Sequence, residues 1–181
     1  MALKDIILGS NIWFAREGTT VGGVVVSASA LPVFSSTKAD WQKLGSVEHW
    51  DPKTANTYVD RRAAPAGTGK YQTRARLLLS SKLSHAFSLQ EFSALEFELL
   101  LNAASIAPST GAYTPNSRGS ALVGWLHLEN YDQNNVKILD DDSWVQLDVQ
   151  SYSFGEKLDP HTLMAEVLYN SLNAGHLTGM S

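Results

Sequence analysis

The chain has 181 residues, no cysteine and a formal net charge of −4 at pH 7. This length suits one domain with a substantial core. The lack of cysteine excludes disulfides, thiolate metal sites and cysteine nucleophiles. The charge is uneven, because residues 1–82 hold 11 basic and 6 acidic side chains whereas residues 83–181 hold 3 and 12. Such asymmetry suits head-to-tail contact between copies, although the two halves could equally lie intermixed on one surface.

The first fifty residues predict short strands separated by glycine. Residues 11–16 and 23–29 contain apolar and β-branched runs, and residues 41–50 predict a longer strand with a kink at Gly45. No continuous apolar segment resembles a secretory signal or a membrane span, so we expect the protein to stay in the compartment of its synthesis. Asp51-Pro52 is expected to end the strand, because proline donates no ladder hydrogen bond.

Residues 51–69 predict a long irregular loop, since Pro52, Pro65, Gly67 and Gly69 lie among small and polar side chains. Loops of this length inside a compact domain are usually functional or disordered. The loop and the following segment contain six basic residues and no acid between Arg61 and Lys82. We therefore expect residues 51–69 to reach toward a partner as an inter-subunit loop.

Residues 70–87 alternate with period two over an unusual length. Apolar side chains, including Leu77, Leu79 and Phe87, fall on one face, and Lys70, Arg74, Arg76 and Lys82 fall on the other. Typical strands have about 3–10 residues. A strand of this length must bend, split or pair with something outside its own subunit.

The period changes after this strand. Ser88-Leu89-Gln90-Glu91 matches a capping box, and Leu89, Phe92, Leu95 and Leu99 then repeat at helical spacing. We predict a flanking α-helix over about residues 88–104, on which the apolar face of the long strand would pack.

The second half predicts further strands at residues 120–129 and 144–154. Residues 159–174 fit both a helix that starts at Asp159-Pro160 and a strand with period two. The fold class is therefore mainly β, an antiparallel β-sandwich or barrel-like domain spanning residues 1–181 with one flanking helix.

No catalytic constellation emerges from the motifs. Gly67-Thr68-Gly69-Lys70 lacks the first glycine and the hydroxyl of a P-loop, and the five histidines show no metal-ligand spacing. Asp140–Asp142 could form a weak cation site, but a solvated acidic turn is the favoured interpretation. We expect no enzyme activity, no cofactor and no metal.

The order of elements resembles the major tail proteins that build the tail tube of long-tailed bacteriophages. The resemblance covers Trp41-x-x-Leu44-Gly45-x-Val47-Glu48, the loop through Gly69 with its extended strand, the Ser88-capped helix with residues 92–95, and the β-rich second half. It implies a virion protein, made in the host cytoplasm, whose hexameric rings stack into a tube that conducts DNA without specific binding. It also implies partner tail proteins at the tube ends and inside the tube.

Two sets of site residues follow from the pattern and the resemblance together. We predict subunit contacts by Arg61, Arg62, Lys70, Arg74, Arg76 and Lys82. Channels of this family tend to be acidic, so the basic residues suit a subunit junction, and Gln146, Asp148 and Gln150 are the channel-lining candidates. The alternative is a monomeric carbohydrate-binding or adhesin-like β-sandwich that uses Trp41, Trp50 and Tyr58.

Overall fold

A computed structural model describes residues 9–63, 72–89, 93–101, 103–107, 109–115, 121–132, 134–151, 161–172 and 175–178. Its strands are β1 (Gly9–Arg16), β2 (Thr20–Val21), β3 (Val24–Val25), β4 (Gln42–Ala63), β5 (Gln72–Leu89), β6 (Ala103–Ile106), β7 (Tyr113–Pro115), β8 (Leu122–Tyr131), β9 (Lys137–Ser151), β10 (His161–Val167) and β11 (Gly175–Thr178). Its helices are α1 (Phe34–Thr37), a 3₁₀ turn at Lys38–Asp40, and α2 (Ala94–Leu100).

Six antiparallel strands close into a barrel. Their order is β10-β5-β4-β1-β8-β9, and β10 pairs with β9 as well as with β5. The free edge of β9 is shared, since its first part pairs with β11 and its later part with β10. Closure leaves no sheet edge around the body of the barrel. The predicted mainly β, barrel-like fold is confirmed.

The barrel interior follows from the alternation of its strands. Side chains of one parity from each strand form one apolar cluster, which includes Ile12, Phe14, Leu44, Phe87, Leu126, Val145 and Leu163. Leu95 and Leu99 of α2 pack against the same cluster. Because each contributor is buried, the barrel is a filled core rather than a channel.

A second cluster covers the outside of β1, β8 and β9. It contains Trp13, Trp125 and Trp144 from these strands, together with Val21, Val26, Phe34 and Trp41 from the connection between β1 and β4. The indole of Trp125 donates to the backbone oxygen of Ser27 at 2.9 Å. β1 is thus buried on both faces, which matches its uninterrupted apolar run.

β4 corrects the prediction of an irregular loop at residues 51–69. Residues 51–63 continue β4 and pair with β5 from Asp51↔Ala86 to Ala63↔Gln72, while residues 64–69 lie outside the described part of the chain. Pro52 does not end the strand, because β1 pairs only as far as Val47 and leaves one edge of β4 open. A proline without an N–H is tolerated on such an edge. The kink predicted at Gly45 is present, with φ +140° beside a register shift.

The predicted helix at residues 88–104 is shorter and starts later. Ser88 and Leu89 still belong to β5, and the capping box is Ser93 with Glu96, whose side chain accepts from the Ser93 N–H at 2.6 Å. Two Ser-x-x-Glu motifs five residues apart caused the error, because strand pairing with β10 extends through Leu89. No helix in the described ranges is long and apolar enough to cross a bilayer.

Two other expectations are settled by pairing. Residues 161–167 form strand β10, so the strand alternative for residues 159–174 is correct there. Asp140–Asp142 do not form a solvated turn, since they lie within β9 between β8 and β11, and Asp141 is only 7% exposed. The turn instead lies before β9, where Asn135 has φ +59°.

Gly124 provides a test of how closely β1 and β8 approach. A Cβ at this position would lie 2.2 Å from the backbone oxygen of Ala15 and 2.7 Å from Phe14 Cζ. The backbone of β1 cannot move aside as easily as the end of a flexible side chain. We therefore expect Gly124→Ala to lower the free energy of unfolding by about 1–3 kcal/mol, measured by urea denaturation. The control is Gly9→Ala, where a Cβ meets nothing within 4 Å. Equal stability of the two variants would contradict this packing.

Candidate assembly surface

β4 and β5 extend past the barrel as a two-stranded ribbon. β10 pairs with β5 no further than Ser84, and β1 pairs with β4 no further than Val47. Residues 53–63 and 72–84 are called here the hairpin arm, and apart from Ser84, which also pairs with Glu166, they pair only with each other among the described residues. At roughly 3.3 Å per residue, the arm reaches about 33 Å from Lys53 to Ala63. A hairpin of this kind is marginally stable alone in water.

Two bulges in β5 decide which side chains share a face of the arm. The register skips Leu79 between Thr57↔Ser80 and Tyr58↔Leu78, and it skips Arg74 between Arg61↔Ala75 and Arg62↔Thr73. Each extra residue moves the side chains beyond it to the opposite face. The predicted division into one apolar and one cationic face is therefore wrong beyond Leu79.

The two faces can be defined by the partners of β4. The core-side face continues from the pair Trp50↔Phe87, in which Phe87 is buried and Trp50 half-buried, and it carries Thr54↔Leu83, Tyr58↔Leu78 and Asp60↔Arg76. The outer face carries Lys53↔Ser84, Ala55↔Lys82, Val59↔Leu77 and Arg61↔Ala75. Paired residues in a ladder point to the same side. Apolar side chains consequently occur on both faces of the arm.

These apolar side chains are exposed. Leu77 and Leu78 are each 55% exposed and Leu79 is 64% exposed, and the others are Tyr58, Val59 and Leu83. The expectation that this segment packs on the flanking helix is wrong for the leucines of the arm, and only the barrel end of β5, at Phe87 and Leu89, joins the cluster of α2. Exposed apolar clusters are typical of association sites, so the arm is the candidate assembly surface.

The predicted contact residues do not form one basic face. Arg76 Nε lies 3.0 Å from Asp60 Oδ1, and its guanidinium lies 5.2 Å from the Tyr58 ring centroid on the core-side face. Lys82 Nζ lies 2.7 Å from Glu166 Oε1 on the outer face. Arg61 is exposed on that outer face. The side chains of Arg62 and Arg74, and Lys70 as a whole, lie outside the described residues.

A polar sheet surface adjoins the outer face of the arm. Strand pairing places Gln146, Glu166, Ser84 and Lys53 in one row across β9, β10, β5 and β4. Asp148 lies in the next row beside Met164. Gln146 and Asp148 are exposed, and the side chain of Gln150 lies outside the described residues, so channel lining by these three residues stays a prediction. Because Glu166 neutralises Lys82 and Asp51 lies 3.2 Å from Lys53, this surface is not cationic.

His85 lies at the root of the arm. The indole N–H of Trp50 donates to His85 Nδ1 at 3.1 Å, and His85 Nε2 is 4.0 Å from Asp141 Oδ2 across the barrel interior. Burial lowers the pKa of His85 below 6.5, although the Asp141 charge opposes this effect. Burial likewise raises the pKa of Asp141, against a hydrogen bond from the Ser143 hydroxyl at 2.8 Å. The neutral imidazole is the form that accepts from Trp50.

A second charged cluster lies outside β8 and β9. The buried Glu129 carboxylate accepts from the Tyr131 hydroxyl at 2.7 Å and lies 3.6 Å from Lys137 Nζ. Burial together with this carboxylate raises the pKa of Tyr131 to about 12. A hydrogen bond to Asp140 at 2.6 Å raises the pKa of Lys137. His127 Nδ1 pairs with Asp142 Oδ1 at 2.6 Å.

The residues proposed for sugar binding do not form a platform. Trp41 is buried in the second cluster, and Trp50 is half-buried against His85. Tyr58 lies eight residues further along β4, about 26 Å away at roughly 3.3 Å per residue. Within the described ranges, no group of three metal-binding side chains is found.

The exposed leucines are the site residues that sequence reasoning missed. The run Leu77-Leu78-Leu79 contains one leucine too many for strict alternation, because Leu78 falls on the polar side of the pattern. A bulge accommodates such a residue by adding one position to one strand. Three consecutive leucines in a period-two segment were therefore the available signal.

Comparison with known proteins finds similar solved structures. No family model matches the chain, and no curated protein matches it. The fold is similar to a chain in the cryo-EM structure of the anti-feeding prophage (AFP) baseplate, 6-fold symmetrised, with a TM-score of 0.45 and 8% sequence identity. The similarity covers 100% of this chain and 99% of that chain.

The environment of His85 predicts a pH dependence of stability. Since its pKa is lower in the folded than in the unfolded state, the unfolded chain binds the proton first, and stability is lost as pH falls below about 6.5. We expect urea denaturation between pH 8 and pH 5 to show a steeper loss for the native chain than for His85→Gln. The difference is at most about 1.4 kcal/mol per pH unit. Parallel pH profiles would contradict a buried, neutral His85.

Proposed function

We propose that this protein is a self-assembling structural subunit of a phage-type virion, whose copies form stacked rings of a tail tube. The observation that carries the proposal is the hairpin arm, which extends beyond the barrel with apolar side chains on both faces. The sequence resemblance to major tail proteins points in the same direction. Its role would be structural rather than catalytic.

The arm has too few contacts within its own subunit to stabilise an ordered ribbon of its length. Fully burying one leucine contributes about 1.5–3 kcal/mol, and Leu77, Leu78 and Leu79 are more than half exposed. A two-stranded ribbon gains little from itself, because each residue has one neighbouring strand. Contact with neighbouring copies would bury these side chains and supply the missing stability.

The strand edges of the arm favour growth of a sheet from copy to copy. Beyond Val47 and before Ser84, the outer edges of β4 and β5 have no third strand in the described part of the chain. Exposed edges are templates for pairing with another chain. Pro52 and the bulges at Leu79 and Arg74 limit the registers in which a neighbour can pair. Ring closure would then satisfy all edges, as in a barrel.

The polar surface beside the arm is the candidate channel wall. Gln146, Asp148 and Glu166 lie on the outer side of β9 and β10, and the row of Gln146 and Glu166 continues onto the outer face of the arm at Ser84 and Lys53. Internal ion pairs offset Lys53 and Lys82, so the surface would not hold DNA phosphates as an uncompensated basic face would. Sixfold rings and DNA passage are part of the proposal.

Replacing the arm leucines tests assembly directly. We expect Leu77→Ser, Leu78→Ser and Leu79→Ser together to leave the barrel folded and to raise the concentration needed for assembly about a hundredfold. This corresponds to roughly 1 kcal/mol per half-exposed leucine. Sedimentation velocity and negative-stain microscopy over a concentration series would measure it, with circular dichroism to confirm folding.

The matched control replaces Leu172, which is 47% exposed and lies outside the arm, with serine. This variant should assemble like the native chain. If the native chain stays monomeric at high concentration, the proposal fails. Unchanged assembly of the triple variant would show that the arm is not the contact.

A further inference from the structure

A pocket of about 300 Å³ lies beside the second cluster, outside β8 and β9. One wall is the segment Leu31–Ser35, and the other wall consists of His127, Lys137, Asp140 and Asp142 from β8 and β9. This volume is at the small end for ligand pockets and accommodates a few side chains. The pocket therefore combines an apolar wall with a carboxylate wall.

The walls of the pocket are held firmly. The Phe34 ring stacks on His127 with 3.7 Å between centroids, and it contacts Trp13 and Trp41 on its other sides. Lys38 Nζ lies 4.4 Å from the Trp13 ring centroid and 3.7 Å from Glu129. Val33, at the edge of this wall, is 65% exposed. A rigid, partly apolar concavity binds without an ordering cost on its own side.

The carboxylate wall keeps the capacity to accept further hydrogen bonds. Asp140 accepts from Lys137, and Asp142 pairs with His127, each at 2.6 Å. An ionised carboxylate offers about four lone-pair sites, so one partner leaves several open. Guanidinium groups suit carboxylates best, because their donors are arranged as a fork.

We propose that this pocket receives the core-side face of the hairpin arm of a second copy. That face offers Leu78, Tyr58 and Arg76 together, which match an apolar wall beside carboxylates. Charge supports the match, since Arg76, which pairs with Asp60, keeps 63% of its side chain exposed on that face, whereas Asp140 and Asp142 line the pocket. Opposite charge favours the correct encounter and register.

The assignment of the core-side face has a structural reason. The outer face of the arm is continuous with the polar rows of β9 and β10, whereas the core-side face loses its cover where the barrel ends after Trp50↔Phe87. A neighbouring body on that side would extend the packing of the barrel. The contact is heterologous, because arm and pocket are different surfaces, so it propagates into rings or filaments. This inference rests on the proposed function and names the receiving surface.

Disulfide cross-linking tests the contact. Because the chain has no cysteine, only the introduced cysteines can form a disulfide. Single variants Leu78→Cys and Ser35→Cys are mixed under assembly conditions, oxidised and separated on a non-reducing gel. We expect a cross-linked dimer in the mixture, at least tenfold more abundant than with Leu77→Cys plus Ser35→Cys. Leu77 is the matched control, because it is equally exposed but lies on the outer face.

A second variant pair tests the pocket without cysteine chemistry. Ser35→Trp would fill the pocket and is expected to raise the assembly concentration at least tenfold, whereas Ser36→Trp, on a neighbouring exposed residue that does not line the pocket, should not. Rings or tubes without the Leu78 cross-link, or unaffected by Ser35→Trp, would overturn the pocket while leaving the proposed function standing. A native chain that never assembles would overturn both.

Discussion

The pairing of β4 with β5 beyond the barrel is the interaction on which the molecule's shape depends. Inside the barrel, both strands have neighbours on each side, and their inward side chains join a filled apolar core. Outside it, the same ladder continues through Ala63↔Gln72 with only the opposite strand for support. Backbone hydrogen bonds hold the ribbon's form, but the burial that normally stabilises a sheet is missing there. Apolar side chains are therefore buried in the barrel and exposed in the arm.

The bulges in β5 decide how the exposed apolar side chains are divided between the two faces of the arm. Without an extra residue at Leu79, Leu77 would share the core-side face with Leu83. With it, Leu77 lies on the outer face beside Val59, and Leu78 joins Leu83 on the core-side face, which also carries Tyr58. A subunit in a closed ring has a neighbour on both sides, so two apolar faces fit such a setting better than one. The charged side chains are largely offset by ion pairs within the subunit, so burial rather than charge would supply most of the stability of association.

The sequence predicted more of the fold than of the surface. Period-two alternation located β5 and β9, a run apolar on both faces located β8, and the kink at Gly45 followed from a glycine within a strand. The segment at 51–63 was mistaken for a loop, because Pro52 suggests a break unless the edge is known to be open. Which edge is open depends on how far β1 extends, and that is a tertiary property. The helix start was misplaced for a similar reason, since β10 holds Ser88 in the sheet.

Site residues were harder to predict, because bulges alter faces without altering composition. Arg76 and Lys82 have the same parity in the sequence, yet they lie on opposite faces and pair with Asp60 and Glu166. Gln146 and Asp148 keep the face that their alternation with Val145 and Leu147 indicates, since no bulge interrupts that part of β9 in its pairing with β8. The pocket beside Phe34 and Asp142 joins segments about a hundred residues apart, and no local pattern predicts such contacts.

The central claim is that other copies of this chain cover the arm. Hydrogen–deuterium exchange on the free and the assembled protein tests this claim most directly. Amides of residues 54–63 and 75–83 should exchange rapidly in the free subunit and become protected on assembly, while amides of β1 and β8 are protected in both states. The account predicts at least a hundredfold slowing in the arm. Rapid exchange of the arm within assembled particles, or full protection in the free monomer, would contradict it.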